Sequence, residues 1–183
     1  MGKRIISQAR GHGSLTYQAK KRAFLYRISY PTARAGEAEI LKIIYSAGHS
    51  APLIKLKANN EIFFNPAFQG AIEGQKIKLG RNVSDGNILV LNDIPVGTKI
   101  YNVELNPGDG GKITRTAGSS STLLKRYPYN IISILTPKRK EVKLSGDCRA
   151  TIGEIAGAGR KLKPFIKAGK MFYKMKARNK LWP

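Results

Sequence analysis

The acidic residues of this 183-residue chain are confined to its middle, and that confinement limits what the ends can fold into. All eleven lie between Glu37 and Glu154. The 36 residues before them carry eight Lys or Arg and no acid. The 29 residues after them carry nine more, from Arg160 to Lys180, again without an acid. The intervening 118 residues hold 16 basic against 11 acidic side chains. Segments of one sign repel themselves and gain little by folding onto one another. The expectation is a near-neutral body with two cationic arms that become ordered on a polyanion. Each Lys or Arg that meets a phosphate releases condensed counterions, which drives such binding. With a formal charge of +22, nucleic acid is the first candidate partner and an anionic membrane surface the second.

Other chemistries find little support. No stretch approaches the roughly 20 apolar residues of a membrane span. Met1-Gly2-Lys3-Arg4 is not followed by the apolar run of a secretory signal. The single Cys148 excludes an internal disulfide and fits a reducing compartment. His12 and His49 are 37 positions apart and are the only histidines, so no ligand cluster for a metal is legible. His12, between two glycines, reads as an RNA contact and His49 as a turn residue. Cys148 has no histidine beside it to mark a nucleophile. The acids are scattered singly, without a catalytic pair. No enzyme, cofactor or small-molecule substrate is expected.

The organisation reads as β-structure between arms. Residues 1–36 read as an extended arm punctuated by glycines, with Tyr17, Phe24, Tyr26 and Tyr30 interleaved among the charges. Residues 37–82 contain short alternating runs: 38–45, 51–58, 61–64 and 75–79. Asn59-Asn60 is a tight-turn signal between two of them. Residues 81–95 read as a linker. A second set of runs follows at 99–105, 121–127, 130–135, 141–144 and 150–155, with turns at 137–140 and 145–147. Two small all-β barrels are expected, at 37–82 and 83–156. Residues 157–183 form a basic extension. There Met171, Phe172 and Met175 have helical spacing, which predicts a short helix interrupted near Gly169; the three side chains read as local packing rather than a cofactor box.

Several segments carry a resemblance. Ile94-Pro95-Val96-Gly97-Thr98-Lys99-Ile100-Tyr101-Asn102-Val103-Glu104-Leu105 is followed by Asn106-Pro107-Gly108-Asp109-Gly110-Gly111-Lys112 and by Thr116-Ala117-Gly118-Ser119. With them stand Gly11-His12-Gly13-Ser14, Gly48-His49-Ser50-Ala51-Pro52-Leu53, Cys148-Arg149-Ala150-Thr151-Ile152-Gly153, and the stretch from Lys163-Pro164 to Leu181-Trp182-Pro183. In this order they resemble the large-subunit ribosomal protein 2 family in its archaeal and eukaryotic-like form, along essentially the whole chain. The resemblance implies an OB-fold followed by a Src-homology-3-like barrel, with long basic arms entering rRNA. It implies a structural role near the peptidyl-transferase region, in subunit assembly and association. Large-subunit rRNA and neighbouring ribosomal proteins would be the partners, in the cytoplasm. In one respect the sequence departs: family members continue past the Trp-Pro with a Gly-rich, His-containing segment. This sequence ends at Pro183, so nothing of that segment carries over.

The expected rRNA-binding residues are Lys3, Arg4, Arg10, His12, Lys20, Lys21 and Arg22 in the first arm. Lys112, Arg115, Ser119 and Arg149 follow in the second barrel. Arg160, Lys161, Lys163, Lys167, Lys170, Lys174, Lys176, Arg178 and Lys180 complete the set. Gly108, Gly110, Gly111 and Gly118 are expected to let backbone approach RNA closely, because a side chain there would collide. As a generic loop, 108–111 is also an ordinary inter-strand turn, since it lacks the Lys-Ser/Thr ending and following helix of a nucleotide-binding loop. The rival reading is a free-standing OB-fold protein binding single-stranded RNA through aromatic residues on its barrel face.

Overall fold

A computed structural model of the chain describes residues 2, 5–14, 23 and 25–177, without the side chains of Ile6, Arg10, Lys161 and Ala177. It divides into one unit of Arg22–Arg160 and another of Met1–Lys21 with Lys161–Pro183.

The first unit is all-β. Its strands are β1 Gly36–Ile44, β2 Leu53–Ala58, β3 Glu61–Pro66, β4 Lys76–Leu79, β5 Ile88–Val90, β6 Lys99–Tyr101, β7 Ser121–Tyr127, β8 Ile131–Leu135, β9 Glu141–Ser145 and β10 Arg149–Ile152. They form one sheet in the order β3-β2-β1-β4-β5-β10-β6-β7-β8-β9. Period-two patterning decides which side faces in. In β2, Leu56 and Ala58 are buried while Lys57 between them is exposed. The β2–β3 hairpin turns at Asn59, whose φ of 51° is one that Asn tolerates better than most residues. In β1 the register with β2 shifts between Ile40 and Lys42. This bulge bends β1, whose first half also pairs with β4.

Two apolar cores lie along this sheet. The first gathers Ile40, Ile54, Leu56, Phe63, Phe68, Ile77 and Leu79 with Tyr30, Ile88, Tyr101 and Ile155. The second gathers Leu89, Leu91, Ile94, Ile100, Leu123, Ile132, Ile134, Leu144, Cys148 and Ile152. Neither core is built from one contiguous stretch of sequence.

Several expectations change. The expected linker 81–95 contains β5, which pairs in parallel with β4 and antiparallel with β10. Ile88 belongs to one core and Leu89 to the other. A strand buried on both faces reads as a continuous apolar run without alternation. The expected arm 1–36 also ends sooner. Ile28 bridges Phe64, the Ser29 amide donates to the Phe64 carbonyl at 3.1 Å, and Ile28 and Tyr30 are buried. The run expected at 99–105 stops as strand at Tyr101, because Asn102 takes φ 49°.

In the second unit, α1 spans Ile6–Arg10, a short helix where an extended arm was expected. Helix α2 spans Ala168–Ala177 and runs through Gly169 without interruption. Gly169 sits in the first turn, where its lower helix propensity is least damaging. Lys174 lies 4.2 Å over the Phe165 ring and Lys176 5.9 Å over that of Phe172. Both contacts let a cation cover an aromatic face while its charge stays near water.

Candidate nucleic-acid interface

The loop after β6 is organised by a fully buried carboxylate. Glu104 accepts from the amides of Gly108 (3.2 Å), Gly110 (3.2 Å) and Arg149 (2.9 Å). It also accepts from the Arg149 Nε at 3.2 Å and Nη2 at 3.1 Å. A buried ion is tolerable only when its lone pairs are filled in this way. Arg149 Nη1 donates to the Pro31 carbonyl at 2.7 Å, and its guanidinium lies 5.2 Å over the Tyr30 ring. Only 11% of its side chain is exposed. Arg149, one of the expected rRNA-binding residues, thus uses Nε, Nη1 and Nη2 within the fold.

The glycine expectation changes as well. The Gly108 and Gly110 amides are used by Glu104, and the Gly111 amide donates to Asp109 Oδ1 at 3.1 Å. A Cβ on Gly110 would come 3.2 Å from Ser29 Cα, one on Gly111 2.4 Å from Asn102 Oδ1, and one on Gly118 2.4 Å from Ala158 Cα. Close approach is real at these three positions, but the chain itself makes it. At Gly108 the space is open.

A polar ring closes the seam between the cores. Asn102 Nδ2 donates to Asn65 Oδ1 at 2.6 Å, and Asn65 Nδ2 to Thr151 Oγ1 at 3.0 Å. The Tyr30 hydroxyl donates to the Asn102 carbonyl at 2.7 Å. Its 2.8 Å contact with Thr151 then makes Thr151 the donor, since a phenol has one proton. Burial raises the Tyr30 pKa well above its ordinary value, so this donor stays protonated. Sequence reasoning placed Tyr30 among the aromatics interleaved with the charges of the first arm and missed Asn65, Asn102, Glu104 and Thr151. The one available signal was Asn65, a polar residue in step with the inward-facing Phe63.

Of the remaining expected residues in the first unit, Lys112 is exposed. Arg115 is half-buried, donates from Nη1 to the Gly111 carbonyl at 3.2 Å, and has its pKa lowered by burial. Ser119 donates its hydroxyl to the Thr116 carbonyl. His49 Nδ1 lies 2.8 Å from Ser46 Oγ; burial, then the Arg115 charge, lowers its pKa. Arg160 is exposed at the end of this unit. In the second unit His12, Lys163, Lys167 and Lys170 are exposed, Lys174 and Lys176 half-buried, and Arg10 and Lys161 occupy helical positions. Lys3, Arg4, Lys20, Lys21, Arg22, Arg178 and Lys180, with Tyr17 and Phe24, lie outside the described residues. Among the described residues no group of three His, Cys, Asp or Glu gathers as a metal site.

Cys148 is fully buried, its thiol contacting the Leu105 carbonyl at 3.7 Å. Burial, reinforced by Glu104, Asp109 and Asp147, pushes its pKa up to about 11. It should resist iodoacetamide at neutral pH in the folded protein and react fully in denaturant, because thiolate is the nucleophile. Mass spectrometry reads this directly, and rapid alkylation of the folded chain would contradict the buried placement.

Fold and site together define an all-β protein with acid-free cationic ends. A family profile described as "Ribosomal Proteins L2, C-terminal domain" matches residues 84–183. The large ribosomal subunit protein uL2 of Korarchaeum cryptofilum is 38% identical over 190 residues, covering 100% of this chain and 77% of the relative. That of Hyperthermus butylicus is 38% identical over 188 residues, covering 100% and 79%. That of Sulfolobus acidocaldarius is 36% identical over 187 residues, covering 100% and 78%. The chain belongs to the large ribosomal subunit protein uL2 family.

Proposed function

We propose that this chain binds and stabilises large-subunit rRNA near the peptidyl-transferase region and supports subunit assembly and association. Family membership makes it a structural protein of the large ribosomal subunit; the rRNA contacts are the finer part of the proposal. The observation that carries it is the confinement of all eleven acids to 37–154, leaving both ends purely cationic. The ion pairs Lys99–Glu154 and Arg149–Glu104 both lie within the acid-bearing middle of the chain.

In this reading the cations of the two ends, with Lys112 and Arg115, neutralise phosphate, and His12 adds a polar contact. Glu104 and Arg149 hold the loop that presents Lys112. The protein braces RNA, and chemistry belongs to the RNA. Residues 37–82 correspond to an OB-type barrel and 83–156 to a Src-homology-3-like one, with Tyr30, Ile88, Tyr101 and Ile155 joining them through the first core. Neighbouring ribosomal proteins are the other partners, and the ribosome in the cytoplasm is the location.

Binding to isolated large-subunit rRNA should weaken steeply with salt, log K falling by about 0.7–0.9 per phosphate neutralised for each unit of log salt. Filter binding across a salt series measures the slope. A flat dependence with affinity retained would contradict phosphate-driven docking.

A further inference from the structure

The outward face of β1–β3 holds charge in an arrangement found nowhere else among the described strand pairings. Elsewhere facing charges have opposite sign. Glu37 pairs in register with Lys78, and Glu39 with Lys76 on one side and Lys57 on the other. Lys42 and Lys55 are register partners of like charge. Like charges directly opposite on one face destabilise a sheet.

The β1 bulge produces this pair. In an unbulged strand, Ile40 opposite Leu56 would put Lys42 opposite the buried Ile54. The extra residue, Leu41, returns Lys42 to the outer face opposite Lys55, leaving Ile43 opposite Ile54. Neither lysine side chain takes part in an ion pair or hydrogen bond among the described residues; the Glu73 carboxylate, next to Lys42 along β1, accepts from the Ile43 amide at 2.8 Å. On its other side Lys55 faces Phe64 of β3. The Phe64 ring packs on Tyr26 with centroids 5.0 Å apart and planes inclined by 49°, and both residues keep part of their surface in water. Lys57 faces Ile62, which is 51% exposed.

Two like cations side by side favour an anion; aromatic rings one strand away narrow the choice. Adjacent strands are about 4.8 Å apart, so charge and ring lie within the span of one nucleotide. Single-stranded nucleic acid is held by this combination of cations tracking the backbone and aromatic faces stacking bases. We propose that Lys42, Lys55, Tyr26 and Phe64 form a contact for unpaired RNA nucleotides, the lysines meeting phosphates and the rings stacking a base. This rests on the rRNA-binding reading above and adds a surface distinct from the acid-free ends.

The test uses the full chain, with oligouridylate and isolated large-subunit rRNA as probes. In the double variant K42Q/K55Q the repulsive pair is gone, so its melting temperature should be unchanged or raised. Its log K–log salt slope for oligouridylate should fall by about 1.4, at about 0.7 per phosphate on a single strand. Ultraviolet crosslinking of the native sequence to either RNA should yield adducts on Tyr26 or Phe64. Suppose the variant keeps the unaltered slope and crosslinks avoid 25–28 and 61–66, while the native chain still binds both RNAs. That overturns this contact and leaves the rRNA reading standing. An acidic protein crosslinked at Lys42 or Lys55 in ribosomes, with no RNA adduct there, also overturns it. Failure of the native chain to bind either RNA at low salt overturns both.

Discussion

Replacing Glu104 by Ala is expected to lower folding stability by about 3–5 kcal/mol, the range for breaking a buried ion pair from one side. The change strands the largely buried Arg149 guanidinium and leaves the Gly108, Gly110 and Arg149 amides without their acceptor. Of its internal side-chain ties the loop 104–111 would keep only its Asp109 contacts, and the Arg149 guanidinium would be held by the Pro31 carbonyl alone. The comparison is Lys99→Ala, at an ion pair of 3.2 Å whose side chains are 63% and 30% exposed. Solvent-exposed pairs contribute about 0–1 kcal/mol, so this variant should unfold near the unaltered protein. Urea titration followed by circular dichroism measures both. Similar small losses for the two variants would mean that Glu104 is not the organiser of this loop.

The second large effect is at Gly111. A Cβ there would lie 2.4 Å from Asn102 Oδ1 and 2.5 Å from the Asn102 carbonyl oxygen, at a φ of +88°. Gly111→Ala therefore meets backbone that cannot swing aside and should cost more than about 4 kcal/mol, a size reserved for a few severe mechanisms. Gly108→Ala isolates the conformational part. Its φ is +86° with nothing within 4 Å of the added carbon, so the left-handed penalty alone applies, about 1–2 kcal/mol. Thermal melts of the two proteins separate the contributions, and equal losses would contradict the packing described. Gly118→Ala, facing Ala158 Cα at 2.4 Å, should follow Gly111→Ala. A failure of such variants to assemble would then report misfolding before any lost approach to RNA.

These glycines also show how far the sequence could be read. The need for small residues at 110, 111 and 118 was legible; what approaches them was not. A glycine in a string of letters does not name its neighbour, and here the neighbours are Ser29, Asn102 and Ala158. Most strands were legible because one face is wet, which imposes alternation, and because Asn59-Asn60 and the 137–140 and 145–147 turns punctuate them. Strand β5 escaped because Ile88 and Leu89 are buried in different cores, which removes the alternation that marks a strand. Glu104 and Arg149, 45 positions apart, were invisible as a pair, since charge in a sequence carries no sign of burial. The contacts of Arg149 with Glu104 and Pro31 were likewise not readable from its place in the sequence. The acid-free ends behave differently, because composition alone defines them.

As a member of the uL2 family, this chain should be a working part of the large subunit. Ribosomes from cells producing a tagged copy would be separated on sucrose gradients in salt high enough to remove loosely bound proteins. The tagged chain should co-sediment with the large subunit, in proportion to other integral proteins, and remain there through the wash. Its appearance at the top of the gradient, with the subunit otherwise intact, would show that it is not an integral part of the subunit.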